Sequence, residues 1–538
     1  MPAAIVSPKG NSADVLTRFF ENGVISCEKT TFAELAAPRI VYVGTAVANF
    51  NYLVEGEQPG GHQIHYPFPH SHTVDWNPSS DQLAAEGIDP SLARDLSSFP
   101  MKAVRDAIID DYFSLVHPGF VVINERDFRR QYDDARNPPP LLLFQAVLLV
   151  GSHVCTHPMV SASRPTVMAT LFRRVRLLFR LRHQNDRTIL IQTALLLSWH
   201  VENSDTVSSN GYHWIGIACR TAFGLGLHRD VSLQSERLIP LREKKQDRLL
   251  WWTVFQAEVF SALEYGRPCM IREEDFDQHP LSEEDFIDDD GQPDKHLERE
   301  FFCLNSDLCF LALDILRLQT PKAVKRGAFV DSTPINSRLA QLASRIPTSN
   351  NFWGCQLRIN YYTVLLLTTR TLLRMNPLVS QPTEELVSLC HDAACNILTA
   401  FDNLAVQNLL GPVQPTWMMA LLAAIMQFRQ DLMSSIKKRF ILGAQTDHAR
   451  LWKMHNIAQK LSAYHPNAET IRRLCEGLYK NFSAVVDSLI NQTEFGREVH
   501  DRVENDLIWQ DIFDENQLPF LQHLDDDAWM NTFDPAMF

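Results

Sequence analysis

A chain of 538 residues exceeds what one ordinary hydrophobic core supports, so its length predicts two or more packed units. Hydrophobic residues make up 45% of it and the formal charge at pH 7 is −14, which suits a folded protein and argues against one that coats nucleic acid or anionic lipid through its overall field. The charge is uneven: residues 273–300 and 503–538 together carry −20, so the remainder is mildly basic and any basic partner-facing surface must be local. Ten cysteines occur without a C-x-x-C pair, which predicts reduced thiols rather than a thiolate zinc cage. The first ten residues, MPAAIVSPKG, contain no apolar signal core, and the longest apolar runs reach about half of the ~20 residues of a membrane span. A soluble chain that is not secreted is expected.

Residues 1–95 are the least periodic part. YPFPHSHTVDWNPSSD at 66–81 reads as an extended segment on a surface. His62, His65, His70 and His72 lack thiolate neighbours and i, i+4 pairing, which argues against a metal site there. From about residue 96 apolar residues recur at i, i+3, i+4 and i+7, and an all-α fold follows. Val104, Ile108, Ile109, Tyr112, Phe113 and Val116 share one helical face, and Asn124 caps a second helix that turns Phe128 and Tyr132 inward. LLLFQAVLLVGSHVC at 141–155 is apolar nearly all round, hence a buried helix. Further helices are predicted at 164–182, 187–200, 211–228, 243–265, 297–318, 354–375, 383–408, 414–436, 447–462 and 467–490. The predicted organisation is an arm (1–95), core helices (96–280), a helical continuation (281–500) and an acidic, disordered tail (501–538).

No stretch assembles a convincing catalytic centre. In His153, Cys155 and His157 each neighbour is two residues on and points about 200° away on a helix, so a buried helix end is the better account. Asp285 and Asp288–Asp290 carry enough oxygens for a divalent cation, yet they sit in an acidic loop with Gly291 and Pro293. Glycine-rich phosphate loops and nucleophile elbows are absent. Arg173, Arg174, Arg176 and Arg180 form the one strongly basic helix face, read as solvated or as a bed for the chain's own acidic loop in preference to a phosphate contact.

WWTVFQAEVFSALEYGRPCMI at 251–271 is the most informative stretch. Steps of 100° place Trp252, Phe255, Val259 and Leu263 on one face and Trp251, Val254, Glu258, Ser261 and Tyr265 on an adjacent one, so this helix expects two apolar neighbours. Gly266 suits the left-handed position after the helix, Pro268 forbids continuation, and Arg267 falls beside the negative end of the helix dipole. Arg267 is therefore predicted to clamp the helix end through a carboxylate or carbonyl, with Glu258, Glu273, Glu274 and Asp275 the nearest acids in sequence.

At these residues the chain resembles the fungal-specific transcription factor domain, the all-helical regulatory region of zinc binuclear cluster activators. Four blocks in order carry the likeness: DYFSLVHPGFVVINERDF (111–128), QTALLLSWH (192–200), WIGIACRTAFGLGLHRD (214–230) and QDRLLWWTVFQAEVFSALEYGRPCMIREEDFDQHP (246–280). Trp251, Trp252, Glu258, Ser261, Gly266, Arg267 and Pro268 match the signature, although Arg248-Leu249-Leu250 stands where consecutive arginines are usual. RIVYVGTAVANFNYLV (39–54) is similar to the segment preceding the domain in the cutinase-gene activator group. The resemblance implies a nuclear regulator of transcription without catalysis, a share in the cytoplasm staying open. The family's six-cysteine zinc cluster has no counterpart, since Cys27 is the only cysteine in the first 154 residues. No cofactor and little intrinsic DNA binding are therefore expected, and a homo- or heterodimer with a DNA-reading partner fits. In the tail, Trp509, Phe513, Phe520, Trp529, Phe533 and Phe538 are interspersed with acids, the composition of an activation segment for coactivators. The rivals are a soluble all-α metal-dependent enzyme using Asp285 and Asp288–Asp290, and a non-catalytic interaction scaffold.

Overall fold

The computed structural model describes residues 39–42, 65–68, 94–200, 209–232, 240–288, 290–326, 333–375 and 384–495. The tail that holds Trp509, Phe513, Phe520, Trp529 and Phe533 lies outside the described residues, as do the side chains of His62, His65, His70 and His72.

The fold is built from α-helices, with one two-stranded antiparallel ribbon. Strands β1 (Arg39–Tyr42) and β2 (His65–Phe68) pair in the register Arg39 to Phe68 and Tyr42 to His65. The helices are α1 (Lys102–Leu115), α2 (Glu125–Asp133), α3 (Leu141–Val154), α4 (Pro158–Ser161), α5 (Arg164–Arg180), α6 (Arg187–Leu197), α7 (Gly211–Leu225) and α8 (Leu241–Tyr265). After an acidic stretch with two short 3-10 turns come α9 (Arg299–Leu318), α10 (Pro321–Arg326), α11 (Thr333–Ala343), α12 (Phe352–Met375), α13 (Glu384–Val406), α14 (Trp417–Lys437), α15 (Ile441–Leu461) and α16 (Ala468–Phe495). The short helices α4, α10 and α11 have no counterpart in the sequence reading, and α15 starts six residues before its predicted 447.

Local chemistry accounts for the ends. Asn124 accepts from the Asp127 N–H and Asp186 from those of Thr188 and Ile189, the side-chain caps that start α2 and α6. Every residue of α3 is buried, and α1, α5 and α6 pack around it. Gly151 is required where α1 crosses α3, since a Cβ there would stand 2.4 Å from the Ile108 carbonyl oxygen. From α6 onward the packing runs along the chain: α7 on α6, α8 on α7, α9 on α8, α12 on α9, then α13 to α16 in succession. Neighbour-on-neighbour packing lets each helix bury an apolar face without one thick centre. Most buried apolar side chains from Leu96 to Leu489 accordingly belong to one contiguous cluster, and Phe301, Leu304 and Leu357 form a small second one. Among the described residues no helix is long and apolar enough to cross a membrane.

Candidate functional site

Helix α8 lies near the middle of this succession, and its two predicted faces meet different neighbours. Trp251 packs edge-on against Phe223 of α7, with the His228 ring 6.0 Å away. Trp252 and Phe255 meet Phe310 of α9, and the Trp252 indole donates to the His279 carbonyl at 2.9 Å. Both tryptophans are almost fully buried, so they are packing residues.

The helix ends as Gly266-Arg267-Pro268 suggests. Gly266 adopts φ 58°, its N–H reaches the Leu263 carbonyl and the Arg267 N–H reaches that of Ala262, the pattern of a Schellman stop. Glu258 is wholly buried, and its Oε1 accepts from the Met270 N–H at 2.7 Å, pinning the outgoing chain back onto α8. Burial pushes its carboxyl up from the usual range, while the Met270 N–H opposes the shift.

Arg267 does not meet the partners expected for it. Its guanidinium lies 5.0 Å from the Tyr212 ring and 5.2 Å from the Tyr265 ring, a cation held between two aromatic faces. The acids are taken elsewhere: Glu258 caps Met270, and Glu273 and Glu274 pair with Arg317. Arg267→Ala should therefore cost about 1 kcal/mol, the scale of a half-exposed cation–π contact. Urea unfolding of the variant checks this, and a loss above about 3 kcal/mol would reveal a buried charged partner instead. A carbonyl clamp of the expected kind does exist at the end of α3. There the buried Arg164 donates to the carbonyls of His153 at 2.9 Å and Cys155 at 2.7 Å while its guanidinium lies 4.5 Å from the Tyr464 ring.

The other sequence candidates separate. His157 leaves the buried helix end and caps α4 by accepting from Met159 N–H. Asp285 is buried, pairs with Arg248 at 2.8 Å and accepts from Ser282 N–H, so it is no part of a solvated loop. Asp288 accepts from the Asp290 and Gln292 N–H groups in a tight turn, Asp290 pairs with Arg126, and Asp289 lies outside the described residues. Asp288 and Asp290 share the Arg126 guanidinium and Asp285 takes that of Arg248, so the described carboxylates are already engaged by arginines. On α5, Arg173 and Arg174 both pair with Asp95, not with the acidic loop. His391, Asp431 and Asp447 bring ligand atoms within 4.8 Å of each other. The Arg450 guanidinium stands among them, 2.6 Å from Asp447 and 3.1 Å from His391 Nε2, and it supplies the cation.

One internal feature was not read from the sequence. The far end of α8, carrying Ser261, Glu264 and Tyr265, lines a cavity of about 90 Å³ that is completed by Trp199 and His200 after α6 and by Trp417 of α14. His153 reaches it from α3 and His465 from the turn before α16, each imidazole centroid 5.7 Å from the other, with His200 also 5.7 Å from His153. Beneath runs a ladder of buried amides. Asn305 donates to Gln256, Asn360 to Asn305 and Gln356 to Asn360, and Gln414 reaches across to the Gly119 carbonyl. The cavity thus sits where α3, α6 and α8 meet the helices after residue 400.

Residues 109–321 match the family described as the fungal specific transcription factor domain. The acetamidase regulatory protein of Emericella nidulans is 29% identical over 489 residues, 88% of this chain and 58% of that protein. The cutinase transcription factor 1 alpha of Fusarium vanettenii is 33% identical over 352 residues, 62% of this chain and 38% of that protein. The chain thus spans less than two thirds of the length of these relatives. No solved structure matches it. The signature helix and its Schellman stop lie within the 109–321 segment that matches the fungal specific transcription factor domain.

Proposed function

We propose that this chain is a nuclear regulator of transcription, not an enzyme, and that its helical body is a regulatory platform instead of a DNA reader. The matched domain over residues 109–321 carries this reading, together with relatives named as regulators of gene expression. The chemistry of the helices supports it. Most signature residues pack or cap, and on α5 Arg173 and Arg174 share Asp95, which lowers the charge this face offers to a phosphate backbone. Activation is assigned to residues 501–538 through coactivators, and DNA reading to a segment or partner other than the described helices.

Tethering tests it. Fused to a heterologous DNA-binding domain, the chain should activate a reporter in fungal nuclei, and Trp529→Ala with Phe533→Ala should remove most of that activity while Asp525→Asn removes less. An inert tethered chain would overturn the activating role. A sequence-selective mobility shift by the untethered chain at physiological salt would overturn the assignment of DNA reading elsewhere.

A further inference from the structure

The cavity at the end of α8 has a definite chemical character. Neither ring nitrogen of His153 makes a hydrogen bond among the described residues, although the Tyr464 backbone lies close enough to favour its charged form. The buried Ser261 Oγ, Trp199 Nε1 and His200 Nδ1 are likewise without partners. Buried polar atoms left unpaired cost about 1–3 kcal/mol each, so Ser261 and the histidines, which can accept, favour an occupant that donates, whereas the Trp199 N–H can only donate. Among the described residues, Glu264 is the only acidic or basic side chain on the wall besides the three histidines, and no lysine or arginine lines it.

That composition selects the charge of the occupant. An anion would find no permanent cation among the described residues of the wall. The three histidines are poor substitutes, because burial holds His200 and His465 down at about 4 and His153 well below its usual value. Arg164 is held by the His153 and Cys155 carbonyls, and Arg267 is engaged with the Tyr212 and Tyr265 rings and is not among the lining residues. A cation would meet the Glu264 carboxyl and the aromatic side chains of Trp199, Tyr265 and Trp417. We propose that this cavity binds a small organic ammonium compound, its cationic nitrogen paired with the Glu264 carboxylate and its apolar part against the Trp199, Tyr265 and Trp417 rings. Burial pushes the Glu264 carboxyl up to about 8, so at neutral pH it holds a proton and releases it to solvent when the ammonium group arrives. The bound pair is then carboxylate and ammonium, with nothing else exchanged. As an effector site the cavity rests on the regulatory reading. As a binding site it stands on the purified chain alone.

The test uses n-butylammonium and benzylammonium, with n-butanol, benzyl alcohol, butanoate and benzoate as matched probes, at millimolar concentration and pH 7. The two ammonium probes should raise the melting midpoint, and the alcohols and carboxylates should not. Titration calorimetry in buffers of different ionisation enthalpy should show release of nearly one proton per ammonium bound. Glu264→Gln keeps the side-chain shape and removes the charge. It should melt at or above the parent midpoint without probe, bind the ammonium compounds at least tenfold more weakly and release no proton. The proposal is overturned if no ammonium probe shifts the midpoint, if carboxylates shift it as much, or if Glu264→Gln binds ammonium undiminished. Reporter activity of the tethered chain is a separate measurement, so failure of binding and failure of the regulatory reading are told apart.

Discussion

Asp285→Ala is expected to lower the stability of this protein by about 3–5 kcal/mol, the cost of breaking a buried ion pair by removing one partner. Asp285 is 2% exposed and accepts from the Arg248 guanidinium on α8 at 2.8 Å, from Ser282 N–H at 2.8 Å and from the Ser282 hydroxyl at 3.1 Å. Removing the carboxylate strands a guanidinium that has little solvent of its own and uncaps the short turn at Glu283–Phe286. The loss should extend to the loop around it. Lys245 donates to the Ile287 carbonyl one turn before Arg248, so the same face of α8 holds both ends of that turn. Asp285→Asn retains an acceptor for Ser282 and should lose less than the alanine variant. Urea unfolding at pH 7 checks both, and a loss below about 1 kcal/mol for the alanine variant would mean that solvent already screens the pair.

The second large effect is a steep loss of stability in mild acid. Burial pushes the imidazoles of His200 and His465 down to about 4 and that of His117 to about 3, and His153 also lies well below its usual value. The unfolded chain takes up a proton on each of them as pH falls through about 6.5 while the folded chain does not, so the stability they lend is present above that value and lost below it. Two carboxyls act in the opposite sense. Burial raises Glu264 to about 8, and burial together with Glu243 and Asp186 raises Asp247 to about 7. Each keeps its proton in the fold after the unfolded chain has lost it, so their contribution is present in acid and fades as pH rises through 7 to 8. Near pH 5.5 four histidines oppose two carboxyls, leaving about two protons net, or about 2–3 kcal/mol per pH unit. His391, raised to about 10 by its hydrogen bonds to Asp431 and Cys395, adds to the loss above pH 6.5, so the optimum should fall near pH 6.5 with a decline of about 2 kcal/mol toward pH 8. Denaturant midpoints at pH 5, 6.5 and 8 test this, and equal stability at pH 5 and 6.5 would show that the buried rings are not held neutral.

Much of the fold is legible in the sequence because it is set locally. The 3.6-residue recurrence of apolar side chains places nearly every long helix, and Asn124 and Asp186 mark helix starts through their own backbone-facing oxygens. Gly266 and Pro268 fix the stop of α8 for the same reason, since a left-handed residue and a missing N–H act without help from distant parts of the chain. The likeness to the matched domain was equally accessible, because the order and spacing of its blocks belong to the sequence.

Which charge meets which was decided only by the tertiary structure. Arg267 has several acids near it in sequence, yet the approach of α7 brings Tyr212 to it instead. The carbonyl clamp belongs to Arg164, whose partners become available only when the start of α5 is laid against the end of α3. Asp285 reads as one acid among many in a charged loop, and only its docking under Arg248 takes it out of solvent. The cavity is the extreme case. His153, His200, Glu264 and His465 are separated by tens to hundreds of residues on different helices and turns, and no periodicity or spacing encodes their convergence. Helix position follows from contacts within a few turns, whereas a polar group's partner depends on where the chain returns, and that is settled by burying the apolar faces first.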